Sequence, residues 1–324
     1  MPDVTAGWSD RVRKALHGVP GVTVVDDGGT STVDVATYAA LVRVLGFMKY
    51  DSASNILMRG QAHCYKNLRP SAYRATSARA VDAPLDEFIQ HFREQTGLDP
   101  DPVHEPSTEP LLQHYGVKSR WLDLVDSIPH ALFFATYDFR GEGGIVVTYE
   151  PSEEYGYIYL INCSTDRELR SVRVLRGSRV VECRGVWETD DGFHLADLRR
   201  AKPSRALRPH AQHGYLCRPP RGHEDLWDAR LMLRVRFKRK DAKLWLGTGA
   251  SLSVADMFPD PTIDTYYRWF LGRKSQDAFA TWDSSGRHHV GSITRYHRIA
   301  GSGSEVRAED LSAAEIEQDG GNTT

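Results

Sequence analysis

The run Met58-Arg59-Gly60-Gln61 sets a guanidinium beside a residue with no side chain. An arginine fork can hold two oxygens of a phosphate or diphosphate, and glycine lets backbone press close to such a ligand. Three more polar groups sit inside short motifs between apolar segments. His114 stands in Gln113-His114-Tyr115-Gly116, and Asp123 ends Ser119-Arg120-Trp121-Leu122-Asp123. Gln212 precedes Gly214 by two residues in Pro209-His210-Ala211-Gln212-His213-Gly214. Asp123 is the best-placed carboxylate and His114 the best imidazole, with Glu182 in reserve. Gln212 can hold a hydroxyl but cannot act as a base. Each group also has a plainer reading. Arg59 and Asp123 could form an ion pair that locks two strands. His114 could be a hydrogen-bonded core histidine, and Gln212 could satisfy buried backbone. Gly60, Gly116 and Gly214 could serve turns alone.

The elements that must carry these groups follow from periodicity. Asn55–Met58 reads as a buried strand that delivers Arg59. A helix fits Asp34 to Leu45, with Tyr38, Leu41, Val42 and Leu45 on one face, Thr32 or Asp34 as cap and Gly46 as stop. A second fits Leu85 to Thr96, with Phe88, Ile89 and Phe92 beside Leu85 and Gly97 as its end. A third, Ile128 to Phe139, is apolar nearly all round, so it is expected to be buried, with Pro129 in its first turn. Strands are expected at Ile145–Tyr149 and Tyr157–Ile161. Leu231, Leu233, Val235 and Phe237 alternate with polar residues, which predicts a half-buried strand with a cationic outer face. Strands and helices without a regular βαβ rhythm indicate an α+β fold with a mixed, mostly antiparallel sheet and flanking helices.

The 324 residues, 40% hydrophobic and 26% charged with net charge −2, suit a globular protein with a sizeable core. No apolar run approaches the roughly 18 residues that span a bilayer, and the N-terminus lacks a signal-peptide pattern. Cys64, Cys163, Cys183 and Cys217 lie far apart, which argues against a zinc site or disulfide scaffold and for a reduced, cytoplasmic protein. His288-His289 and His63-Cys64 lack the rest of a ligand set, so no metal is expected. Phosphate-loop, nucleophile-elbow and His-Glu-x-x-His motifs are absent. Local charge says more than the total. Residues 198–222 hold seven Arg or Lys and no acid, and residues 230–243 hold seven more against Asp241 alone. Such stretches fit a phosphate-bearing partner, or a solvated basic face paired with acids elsewhere.

The motifs around Arg59, Leu68-Arg69-Pro70-Ser71-Ala72-Tyr73-Arg74, Gln113–Asp123 and Pro129–Ala135 together resemble the FRG domain, with Met58 in place of its usual aromatic. Arg208–Leu216 and Met257-Phe258-Pro259-Asp260 look like later elements of that family. The resemblance implies one FRG-like domain over residues 33–272, after an extension at 1–32. An elaboration at 273–300 and a flexible acidic tail at 301–324, with a short helix near Leu311–Glu317, would complete the chain. The order of elements is also similar to arginine-type ADP-ribosyltransferases, in which an early arginine holds the NAD phosphates and a late strand supplies a glutamate. That likeness implies NAD as substrate, with Arg59, Gly60, Gln61 and Gln212 binding it. Arg59, Asp123, Gln212 and His114 would then be the catalytic set, although Gln212 stands where glutamate is expected. The favoured acceptor is nucleic acid, as for a toxin or defence effector. The alternative is a non-catalytic nucleic-acid module using residues 199–221 and 230–243. In either case Arg205, Arg208, Arg234, Arg236 and Lys238 are the expected phosphate contacts, and Trp227, Tyr215 or Trp187 could stack on bases.

Overall fold

The computed structural model describes residues 11–25, 31–51, 54–65, 68–73, 78–96, 101–115, 117–142, 145–149, 154–165, 168–223, 227, 230–247, 252–259 and 263–266, with short strand pieces at 281–282, 288–289 and 298–299. Gly116, the acidic tail and the helix expected near Leu311–Glu317 lie outside the described residues, as does most of 273–300. No helix among the described residues is long and apolar enough to cross a membrane.

The architecture is α+β. Its main sheet uses β1 (Val22–Val25), β2 (Thr32–Val35), β3 (Ser54–Gln61), β4 (Leu122–Val125), β7 (Tyr155–Thr165), β8 (Arg170–Arg176), β9 (Arg179–Glu188), β10 (His194–Asp197), β11 (Gly214–Arg218) and β12 (Leu231–Lys238). They lie in the order β1-β2-β12-β7-β3-β4-β11-β10-β9-β8. The β2–β12 pair is parallel and the other pairs are antiparallel. Strands β5 (Asp138–Glu142) and β6 (Ile145–Tyr149) belong to a smaller sheet. Helices α1 (Tyr38–Asp51), α2 (Ala78–Thr96), α3 (Thr108–His114) and α4 (Ile128–Thr136) precede β7. The short helices α5 (Leu198–Ala201), α6 (Leu207–Ala211), α7 (Arg239–Trp245) and α8 (Val254–Met257) follow β10.

Strand β12 buries Leu231, Leu233, Val235 and Phe237 as the alternation predicts. The segment at 32–35 differs from expectation: it is a strand, not the start of a helix. Val33 and Val35 enter the core, while Asp34 receives both ends of Arg236 across the β2–β12 ladder, at 2.7 and 2.6 Å. The helix begins at Tyr38, with the Thr37 hydroxyl accepting from Ala40 N, and runs through Gly46. Its buried face is Leu41, Val44, Leu45 and Met48, while Tyr38 and Val42 stay exposed. The predicted third helix ends at Thr136, and Phe139 belongs to β5. Part of the expected N-terminal extension is built into the fold, since β1 pairs with β2 and Val12 and Leu16 are buried.

Two features of the sheet position the site. Helix α4 lies so close on β3 that a Cβ at Gly60 would collide with the Ala131 carbonyl and stand 2.9 Å from Ala135 N. Strands β3 and β4 share a single ladder pair, Met58 with Val125, although β3 follows β7 and β4 follows β11 along their lengths. Beyond that pair the two halves of the sheet part, on the side where Arg59 and Asp123 stand.

Candidate active site

A cavity of about 220 Å³ occupies the parting of β3 and β4. Arg59 and Gly60 border it from β3, Asp123 from β4, His114 from the end of α3, and Gln212 from the end of α6. Met58, Leu124, Val125, Phe134 and Phe258 supply apolar wall, and Arg208 adds a second cation. Residues remote in sequence therefore converge where the ladder has released main-chain groups, a natural place for a polar ligand.

Arg59 bridges the parting. Its Nη1 donates to the Asp123 carbonyl at 2.8 Å and lies 3.7 Å from the Asp123 carboxylate. The arginine is 12% exposed and the aspartate 49%, so the carboxylate keeps a free approach from the open side. The ion pair that locks two strands and the pair that lines a cavity are here one arrangement.

His114 has a defined tautomer. A helix end leaves carbonyls without intrahelical partners, and that of Met257, at the end of α8, accepts from Gln212 Nε2 at 2.8 Å. A carbonyl can only accept, so this contact turns Gln212 Oε1 toward His114 Nδ1, 2.9 Å away. Nδ1 then carries the proton and donates, which leaves Nε2 as a bare lone pair. That nitrogen is buried with no hydrogen-bond partner among the described residues. Gly214 makes room for it, since a Cβ there would come within 2.7 Å of His114 Cε1 and 2.8 Å of Nε2. Burial pushes the His114 pKa below its ordinary value, with Arg208 acting the same way and Asp123 and Gln212 pulling against it. The site thus holds a neutral imidazole with its acceptor nitrogen free.

The loop before β11 is fixed from its other side as well. His130 Nε2 donates to the Ala211 carbonyl at 2.9 Å, and Ser127 stands 2.7 Å from its Nδ1. Burial lowers the His130 pKa, and neighbouring His213 adds to the effect. His213 adopts a left-handed backbone with φ 51° and meets the Asp126 carboxylate at 2.8 Å. Burial works against ionisation of Asp126, but hydrogen bonds from His213 and Arg199 outweigh it and hold its carboxyl below the usual range. Sequence reasoning singled out neither His130 nor Asp126, because neither shares a motif with the loop they support.

Gln61 is buried one residue beyond the cavity rim, and Glu182 lies exposed on β9 with Arg173 at 3.0 Å. Gly60 borders the cavity, but the close approach it permits is that of helix α4. Arg208 is 1% exposed, donates to the His114 carbonyl at 3.1 Å and stacks on Tyr115 and Phe258. Arg205 and Arg234 are half-buried over Tyr266 and Tyr159. Arg236 pairs with Asp34, and exposed Lys238 with Glu154 at 3.3 Å. Trp227 is buried against Phe193, Arg200 covers Trp187, and Arg199 covers Tyr215.

Residues 54–142 match the FRG domain. The FRG match spans β3 to β5 and contains Arg59, His114 and Asp123. Arg208, Gln212, Gly214 and Phe258, which complete the cavity, lie outside it. No curated protein and no solved structure matches the chain.

Proposed function

We propose that the cavity takes the nicotinamide–ribose end of NAD and that the protein transfers ADP-ribose to an acceptor. The supporting observation is the adjacency of β3, β4 and β11 in the sheet, which brings the early arginine, the Asp123 strand and the late Gln212 loop to one cavity. Arg59 supplies the phosphate-facing cation at the cavity edge. As the bond from ribose C1′ to the nicotinamide nitrogen breaks, its electron pair leaves with nicotinamide and positive charge develops on the sugar. Asp123, accessible from the open side, is the carboxylate able to offset that charge. The acceptor nitrogen or oxygen bonds to C1′ and its proton passes to His114 Nε2, the free base in the cavity. Gln212 acts through His114, whose tautomer it fixes, because both ends of its amide are engaged inside the protein.

Nucleic acid is the acceptor class we favour. Of the expected phosphate contacts, Arg208 is buried and Arg236 is paired with Asp34, so neither presents a free charge on an open face. This favours the cavity reading over a non-catalytic grip on a phosphate backbone.

The test is incubation with NAD labelled on its adenylate portion, separately with DNA, RNA and lysate protein, alongside nicotinamide release. Wild type should label one acceptor class. Arg59→Ala and His114→Ala should each lower release by about 100-fold or more, the scale of losing one stabilising donor at a reacting centre. Equal release from wild type and Arg59→Ala would refute the assignment.

A further inference from the structure

A second concavity, a groove of about 1130 Å³, lies between α2, the turn at Pro102–Ser107 and strand β8. Its floor holds Arg120, Trp121, His194 and Arg218, Arg221 also lines it, and Val172 and Val174, which pack on the Trp121 side of β8, form an apolar wall. Most of its cations have partners. Arg120 Nη2 meets Glu109 at 2.6 Å and its Nη1 meets Asp86 at 2.8 Å. Arg93 meets Glu105 at 3.0 Å, and Arg221 meets Asp86 at 2.5 Å.

Arg218 differs. It ends β11, and its guanidinium stacks on the Trp121 ring, 5.1 Å from the centroid. It has no hydrogen bond or carboxylate partner among the described residues, and its Nε is sealed without one. The two Nη groups are the ones the groove can reach. A part-buried cation without a counter-ion is unfavourable, and Arg120 and Arg221 repel it further. Burial pushes its pKa down, those two arginines add to the effect, and Glu109 opposes them. The planar fork, held over an indole face, is preorganised for an oxyanion.

We propose that this groove binds a small organic oxyanion, a phosphate monoester or a carboxylate, with its charged end on Arg218 and its apolar body along Val172 and Val174. The site is separate from the Arg59 cavity and does not depend on the function proposed for it.

Calorimetric titration of the full chain with phenyl phosphate, benzoate and inorganic phosphate tests this. Saturable binding of phenyl phosphate or benzoate is expected, and whichever binds names the source of the oxyanion. The Trp121 indole N–H resonance, assigned through Trp121→Phe, should shift on binding. Arg218→Met keeps the stem on Trp121 and removes the charge, so affinity should fall at least about tenfold, the loss expected for a charge-assisted contact. Arg218→Lys keeps the charge without the fork and should fall between, while Arg59→Ala should bind as wild type. Absence of saturable binding, unchanged affinity in Arg218→Met, or loss in Arg59→Ala instead would overturn the proposal. Inorganic phosphate binding as tightly as phenyl phosphate would overturn its apolar half.

Discussion

The cavity at Arg59 and the groove at Arg218 both set an arginine near the same pair of strands, yet they resolve its charge in opposite ways. Arg59 leans on the Asp123 carbonyl at 2.8 Å, with the Asp123 carboxylate at 3.7 Å, and its neighbour His114 is held neutral. Arg218 rests over an aromatic face, with no acid in contact among the described residues. Burial alone therefore does not show what a cation is for. The count of its partners separates a residue that holds two strands at a reaction site from one that awaits an anion.

The largest effect should come from exchanging charge for shape at the two positions. Arg59→Ala should lower nicotinamide release by about 100-fold or more. Arg218→Met should leave release unchanged and raise the urea midpoint, because it removes an uncompensated charge and keeps the packing. A lowered midpoint in Arg218→Met would mean that the cation is compensated after all, and the contrast would fail.

Gly60→Ala should come next. The new methyl would meet backbone of α4 rather than a flexible side chain, so either the helix or β3 must move. Overpacking of this kind costs about 1–3 kcal/mol and occasionally more. Urea unfolding should place Gly60→Ala at or above the top of that range. A change below about 0.5 kcal/mol would show that α4 can yield without loss.

This glycine also shows where the sequence was legible and where it was not. Arg59, His114, Asp123 and Gln212 could be singled out because polar residues inside apolar motifs are unusual, and they share one cavity. Gly60 was expected to admit a ligand, but a tripeptide does not reveal that a later helix, reaching it through Ala131 and Ala135, will lie on it. Asp34 read as a cap because helix periodicity follows it; its partner Arg236 becomes visible only once β2 and β12 are known to pair. The runs of arginine looked like one basic face because linear charge counts carry no direction. In the fold, Arg208 turns inward, Arg236 crosses to Asp34, and Arg218 reaches a different cavity.

Gln212→Ala should have a middling effect. It leaves the His114 Nδ1 proton and the Met257 carbonyl without the partner each now has, a loss of about 1–3 kcal/mol in urea unfolding. The more telling variant is Gln212→Glu. A carboxylate at Nδ1 favours the charged imidazole, so the acid limb of activity, which lies below 6.5 in wild type because burial lowers the His114 pKa, should move to higher pH. An acid limb that stays put would show that His114 is not the group being titrated.

The smallest effect should distinguish the two regions by pH. His194, on the groove floor, has its pKa lowered to about 4, chiefly by burial and then by Arg218. His114 and His130 are also lowered. For each, the unfolded chain binds a proton near pH 6.5 and the folded chain only at lower pH. Their contribution is fully present above pH 6.5 and is lost as pH falls, down to about 4 in the case of His194, at no more than about 1.4 kcal/mol per pH unit per histidine. Removing the cation in Arg218→Met should raise the His194 pKa toward 6.5 and make the acid slope shallower, with the His114 share untouched. Titration of the histidine ring protons by NMR reads both at once. A rise in His194 should also appear when an anion fills the groove of the wild-type protein, since a bound negative charge offsets that of Arg218. A His194 titration insensitive to both changes would place Arg218 too far from the groove floor to command it.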